Sequence, residues 1–104
     1  MNNLVFIPPL LRERAEKYCD IMQKIAGVDP LEDTRHRPVV IARTMVANAL
    51  LQDGYTLHAV GTILGVDHAT VNHYRKRFQD IESTPGYEAE REIWNRFKRR
   101  IWSL

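Results

Sequence analysis

The 104-residue sequence lacks the features of a secreted or membrane-embedded protein. Its single cysteine, Cys19, cannot form an internal disulfide, and no metal-ligand spacing surrounds it. No apolar stretch approaches the roughly 20 residues that a membrane-spanning helix needs. Residues 1–11 lack the basic start and the small-residue cleavage site of a signal peptide. We therefore expect a cytoplasmic protein without a membrane partner.

The sequence also lacks the patterns that most enzymes and nucleotide-binding proteins carry. It contains no Gly-x-x-x-x-Gly-Lys-Ser/Thr phosphate loop, no nucleophile and base within one segment, and no carboxylates paired with plausible geometry. A helix brings metal ligands together at spacings of three or four residues, whereas His68 and His73 are five apart. We therefore expect no enzymatic activity, no cofactor, no metal and no nucleotide partner.

Positive charge is concentrated in the middle of the chain. The formal net charge of the whole chain is only +2, but residues 35–81 contain six Lys/Arg against three Asp/Glu, together with all four histidines. Residues 1–34 contain four against six, and residues 82–104 contain five against four. The middle segment is therefore the part of the chain best suited to contact phosphate.

Apolar residues recur at helical spacing in five segments, which predicts an all-α fold and a single domain over residues 1–104. The segments cover about residues 9–27, 38–51, 56–65, 67–81 and 87–102. Thr56 and Asp67 are good N-caps, and Gly27 and Gly65 are suited to helix C-termini. Residues 28–37 lack apolar periodicity and are predicted to form a polar loop, in which the residue before Pro38 is not yet helical.

Residues 56–81 have the pattern of a helix-turn-helix, a short helix and a longer one joined by a glycine-containing turn. In DNA-binding proteins, the second helix of this unit enters the major groove, and side chains near its start contact base edges. Here that start is formed by residues 67–70. Asp67 is suited to accept from a cytosine amino group, His68 to donate or to contact a thymine methyl, and Thr70 to donate to a phosphate.

The string from Gly65 to His73, Gly-Val-Asp-His-Ala-Thr-Val-Asn-His, resembles the signature Gly-Arg-Asp-His-Thr-Thr-Val-x-His of the C-terminal DNA-binding domain (domain IV) of the bacterial replication initiator DnaA. Residues 55–61 are similar to the Ser-Leu-x-x-Ile-Gly of that family, and residues 42–45 are similar to its Ala-Arg-Gln-Ile. The similarity continues at residues 76–78. The resemblance implies a helix-turn-helix bundle of the DnaA or Trp-repressor kind over residues 12–81. It does not cover the additional C-terminal helix that apolar spacing predicts within residues 85–104.

What is known of the family implies a role for each matching residue. The aspartate and the histidine contact base edges, so the resemblance implies these contacts for Asp67 and His68, with support from the Thr70 hydroxyl. An upstream basic loop of the family reaches the minor groove, which implies this role for Arg35 and Arg37. A further arginine of the family contacts a phosphate, which implies that role for Arg43. The complete set of predicted DNA contacts is Arg35, Arg37, Arg43, Thr56, Asp67, His68, Ala69, Thr70, Asn72, His73 and Lys76.

The expected function is sequence-selective binding of double-stranded DNA by a nucleoid-associated protein in replication initiation control or regulation. One alternative is a phage or mobile-element helix-turn-helix regulator or packaging subunit. Another is a protein-interaction adaptor that kept the fold and lost DNA contacts. Val66 and Ala69 motivate that alternative, because they stand where the signature has arginine and threonine.

Several of these residues also have simpler interpretations. Asp67 is suited to be a plain helix cap, and residues 35–37 and 75–77 are suited to be solvated charges. The apolar stripe of the last helix is suited to a core, with self-association through this helix as the alternative. The stripe consists of Trp94, Phe97 and Ile101.

Overall fold

Five helices follow one another along residues 6–103, the part of the chain that the computed structural model describes. Within that part there is no strand, so the predicted all-α fold is confirmed. Of the single domain expected over residues 1–104, residues 1–5 and residue 104 lie outside the described part. The helices are α1 (Pro9–Ala26), α2 (Arg37–Gln52), α3 (Leu57–Leu64), α4 (His68–Ser83) and α5 (Glu88–Ile101).

The predicted capping residues stand at the helix ends. The backbone of Gly27 is left-handed, with φ of 77°, and its amide donates to the Gln23 carbonyl at 2.9 Å. The Thr56 hydroxyl accepts from the amide of Ala59 at 3.1 Å and so caps α3. Each of these bonds pairs a backbone group that a helix end leaves without an intrahelical partner.

The start of α2 differs from the prediction. Arg37 is the first helical residue rather than the last loop residue, because the carbonyl of His36 accepts from the amide of Val40 at 3.1 Å. Pro38 tolerates this position since an amide in the first turn has no intrahelical acceptor. Arg37 is therefore anchored to a helix through its backbone, and Arg35 alone of the two arginines lies in the loop.

The central helix of the fold is α2, which packs against each of the other four. Among its buried residues are two polar ones, Thr44 and Asn48. The Thr44 hydroxyl donates to the Val40 carbonyl at 2.8 Å. The Asn48 amide nitrogen donates to the carbonyls of Thr44 at 2.8 Å and Tyr74 at 3.1 Å, and the second bond joins α2 to α4. Because a buried amide left unpaired is costly, these bonds hold α4 in one position on α2.

The last helix belongs to the core. Trp94 of α5 packs edge-on against Phe78 of α4 with ring centroids 4.6 Å apart, and Phe97 meets Tyr18 of α1 at 5.8 Å. Together with Ile101 these residues are at most 4% exposed. The core interpretation of the stripe is therefore confirmed. Self-association through α5 stays a prediction, and it would have to use residues outside this stripe.

An arginine of α5 closes the end of α4. The Arg91 guanidinium donates to the carbonyls of Ile81 at 2.8 Å and Thr84 at 3.0 Å, and it pairs with Glu88 at 3.2 Å. These carbonyls lie at the C-terminus of α4, where a positive charge is favourable.

No helix of residues 6–103 is long and apolar enough to cross a membrane.

Candidate nucleic-acid interface

In the unit formed by α3, the turn and α4 (residues 57–83, the α3–α4 unit), the turn packs directly against a glycine of α3. The turn consists of Gly65, Val66 and Asp67, and the amide of Val66 donates to the Gly61 carbonyl at 2.9 Å. A Cβ atom added to Gly61 would lie 2.6 Å from the Val66 carbonyl oxygen, a distance that real Cβ contacts essentially never show. Gly61 is therefore required for the close approach of the turn to α3.

Asp67 caps α4, as predicted. The amide of Thr70 donates to its Oδ1 at 2.8 Å, and this bond holds the pKa of the exposed carboxyl below its ordinary value. A carboxylate offers about four lone-pair sites. The carboxylate of Asp67 therefore keeps lone pairs with which to accept from a base while it caps the helix. The capping role and the proposed base contact are compatible.

His68, the first residue of α4, stacks on His58 of α3. The two ring centroids are 4.1 Å apart and the planes differ by 19°. Both side chains are exposed. The sequence analysis did not predict this contact. Spacing along one helix does not indicate it, because the two histidines belong to different helices.

The remaining residues of α4 separate into two faces, as the spacing predicts. Ala69, His73 and Lys76 are exposed, and Thr70 is half-buried. Asn72 differs from the rest of the outward face, because it is half-buried and its Oδ1 accepts from the Arg75 guanidinium at 2.7 Å. The opposite face is buried in the core and consists of Val71, Tyr74, Phe78 and Ile81.

The basic residues 35–37 lie where the loop meets α2, and each of them has different surroundings. Arg35 is exposed, and its side chain has no hydrogen bond or ion pair with any of residues 6–103. Its neighbour His36 is fixed through its backbone amide, which donates to the Thr34 hydroxyl at 3.1 Å. The guanidinium carbon of Arg37 lies 5.8 Å from the ring centroid of Tyr87, within cation–π range.

Arg43 is engaged inside the protein. Its Nε donates to the Pro30 carbonyl at 2.7 Å, one Nη donates to the Glu32 carbonyl, and the other lies 3.4 Å from the Tyr74 hydroxyl. The side chain thereby fastens the loop after α1 to α2 and α4. The implied phosphate contact of Arg43 stays a prediction. It competes with these bonds, because the guanidinium would have to release a carbonyl to reach outward.

Metal and acid–base chemistry have few candidates in the described part of the chain. No three His, Cys, Asp or Glu side chains of residues 6–103 are grouped so that they could hold a metal ion. Burial raises the pKa of the Cys19 thiol to about 12, so this cysteine is a core residue rather than a reactive thiolate. The Tyr18 hydroxyl donates to Asp53 at 2.6 Å, and burial together with this bond raises the pKa of the phenol.

The surface of the α3–α4 unit thus combines a capped helix start, two stacked imidazoles and an exposed polar face. Among the candidate contacts, the structure groups Asp67, His68, Ala69 and Thr70 in the first turn of α4 and its cap. Thr56 stands at the start of α3, near the His58 ring that touches His68. No family model, curated protein or solved structure matches the chain.

Proposed function

We propose that this protein binds double-stranded DNA sequence-selectively, with the N-terminal half of α4 in the major groove. The observation that carries the proposal is the start of α4, where the Asp67 cap, His68 and Ala69 are all exposed at the end of a helix. A helix fits the major groove, and residues at its N-terminus reach base edges there. The proposal includes the helix-turn-helix bundle of the DnaA kind that the signature of residues 65–73 implies.

The stacked imidazoles support a base contact by His68. A long or mobile side chain loses rotamer freedom when it binds, and this loss weakens the contact. The His58 ring restricts the His68 ring before DNA arrives, because the two planes are nearly parallel. Selectivity then comes from His68 and from the Asp67 carboxylate, which is suited to accept from a cytosine amino group.

Phosphate contacts are assigned to the flanks of this helix. Lys76 is exposed two turns after His68 on the outward face of α4, and Arg75 is exposed beside it. The start of α3 offers backbone amides to a phosphate, as helix N-termini do. Arg35 and Arg37 are proposed to enter the adjacent minor groove, where narrow A·T-rich DNA concentrates negative potential. To make this minor-groove contact, the guanidinium of Arg37 must move away from the Tyr87 ring.

A protein-interaction adaptor remains the second candidate, on one specific observation. Val66, which stands in place of the arginine of the signature, is half-buried and packs against the core. Ala69, in place of a threonine, offers no hydroxyl to a phosphate. Two polar contacts of the signature are therefore absent. The DNA proposal is preferred because Asp67, His68 and Thr70 retain their polar groups at the helix start.

Selection from a pool of random-sequence duplexes, at one stated salt concentration, tests the proposal. The wild-type protein is expected to enrich one short motif. Asp67→Asn keeps a good N-cap, but asparagine pairs with adenine where aspartate accepts from cytosine. We therefore expect this variant to change the preferred base at one position of the motif. A pool that shows no enrichment with the wild-type protein would favour the adaptor instead.

A further inference from the structure

The C-terminal half of α5 carries an unpaired cluster of positive charge. Four of its five residues from 96 to 100 are Arg or Lys. None of them lies within 4.0 Å of a carboxylate of residues 6–103, whereas Arg91 on the same helix is paired with Glu88. Three of the four are exposed and form what we call the α5 basic cluster: Arg96, Arg99 and Arg100.

The α5 basic cluster lies along one side of the helix. Its members are three and four residues apart, so their side chains project side by side. With the half-buried Ile25 of α1 they line an open cleft of about 280 Å³. The next residue of α1, Ala26, lines a second cleft together with Arg37 of α2. Neighbouring residues of α1 therefore line the two clefts, and the second cleft contains Glu90 of α5 as well as Arg37.

Helix stability alone does not account for this arrangement. Cations in the last turn of a helix interact favourably with the backbone dipole, which explains basic residues at positions 98–100. The effect is confined to the last turn, however, and Arg96 lies before it. Like charges at spacings of three and four residues also destabilise a helix. Arg96 with Arg99 and Arg100 forms two such pairs. Glu92 stands four residues before Arg96, but no ion pair within 4.0 Å joins the two side chains.

We propose that the α5 basic cluster is a second phosphate-binding surface, which holds the backbone of double-stranded nucleic acid outside the α3–α4 unit. All three members are arginines, whose planar guanidinium matches the geometry of a phosphate group. The cleft is open rather than enclosed, which suits a chain of evenly spaced phosphates better than a single small anion. A surface of this kind contributes affinity and salt dependence without contributing base preference.

The experiment measures affinity for a random-sequence duplex as a function of salt for two double variants. Arg96→Ala/Arg99→Ala removes two charges of the α5 basic cluster. Arg12→Ala/Lys17→Ala removes two exposed charges of α1 and serves as the matched control. Alanine is the best helix former, so both variants are expected to fold, which circular dichroism verifies.

Loss of two phosphate contacts reduces the slope of log K against log salt by about 1.8. We expect this reduction for the α5 variant and less than about half of it for the α1 control. An unchanged slope, or the same reduction in both variants, would overturn the proposal. The motif enriched from a random pool is expected to be the same as for the wild-type protein.

A second arm separates nucleic acid from an anionic lipid surface. Binding to vesicles of mixed phosphatidylserine and phosphatidylcholine is measured with the same variants. If the α5 variant loses vesicle binding and retains its full duplex salt slope, the cluster is a lipid contact and the proposal is wrong. Because the salt slope does not depend on base preference, the proposal stands or fails independently of the role of α4.

Discussion

The imidazole rings of His58 and His68 stack with their centroids 4.1 Å apart, and this contact joins the first turns of α3 and α4. His68 is the residue proposed to meet a base edge, and His58 is its only ring neighbour among residues 6–103. The orientation of a base-contacting side chain therefore depends on a residue of the preceding helix. His58 is a positioning residue in this proposal rather than a base contact.

Two replacements of His58 test whether its ring positions His68 by stacking. His58→Ala removes the stack and is expected to lower the preference for the selected motif about two- to threefold, at the low end of what an aromatic pair contributes. His58→Phe keeps a ring and is expected to retain most of the preference. Fluorescence anisotropy with motif and scrambled duplexes measures both. Equal losses in the two variants would show that His58 does not act through stacking.

The capping bond of Asp67 makes part of the stability of the fold sensitive to acid. The bond lowers the pKa of this carboxyl in the folded state. The associated stability is present above the unfolded pKa, about 3.9, and is lost as the pH falls through the lower folded value. Asp67→Asn keeps a cap that does not titrate. The stability of the wild-type protein relative to this variant is expected to fall as the pH is lowered from about 5 through the unfolded pKa.

Urea unfolding of both proteins at pH 6 and pH 3 measures that difference. The comparison with Asp67→Asn cancels the other carboxyl groups, among them Glu88, whose pKa is also lowered by a backbone bond from Gly86. A difference that stays constant with pH would mean that the Asp67 bond contributes nothing in solution.

Gly61→Ala tests the close approach of the turn to α3. The new Cβ would meet the Val66 carbonyl oxygen at 2.6 Å, so the turn must shift. We expect the free energy of unfolding to fall by about 1–3 kcal/mol, the usual cost of overpacking. Thr62→Ala, at the exposed neighbouring position, serves as the control and is expected to change stability by less than about 0.5 kcal/mol. If the two variants are equally stable, the turn does not approach position 61 as closely as the structure shows.

Arg43 and Arg35 are expected to differ in what they support. Arg43→Ala removes bonds to the Pro30 and Glu32 carbonyls and should lower the free energy of unfolding by about 1–3 kcal/mol. Arg35→Ala removes no internal bond and should change stability by less than about 0.5 kcal/mol. It should instead weaken binding to motifs with A·T-rich flanks more than to those with G·C-rich flanks. A destabilised Arg35→Ala, or equal losses on both flanks, would contradict this assignment.

The parts of the structure that sequence could predict are those set by local chemistry. Apolar spacing located the five helices, and the side chains of Thr56 and Asp67 marked two of their starts because a cap acts on amides only three residues away. The start of α2 was misplaced by one residue, since the preference of a residue before proline was overridden by the His36 carbonyl bond to Val40.

Contacts between distant segments were outside the reach of sequence. The stack of His58 on His68 depends on how α3 and α4 cross, and the Arg43 bonds depend on where the loop after α1 lies. Neither arrangement follows from spacing along one helix. The sequence could therefore predict which face of α4 is exposed, but not which of its polar side chains contact another helix, as His68 contacts His58.

The most direct test of DNA recognition by α4 is the ratio of specific to non-specific affinity of His68→Ala, with Lys17→Ala as a surface control. Both are measured at one salt concentration on the selected motif and on a scrambled duplex. A base contact is worth about 1–3 kcal/mol, so we expect His68→Ala to reduce the ratio about 5- to 150-fold while non-specific affinity and the Lys17→Ala ratio stay unchanged. A ratio that is the same in His68→Ala and in the wild-type protein would contradict the proposal that α4 contacts base edges through this residue.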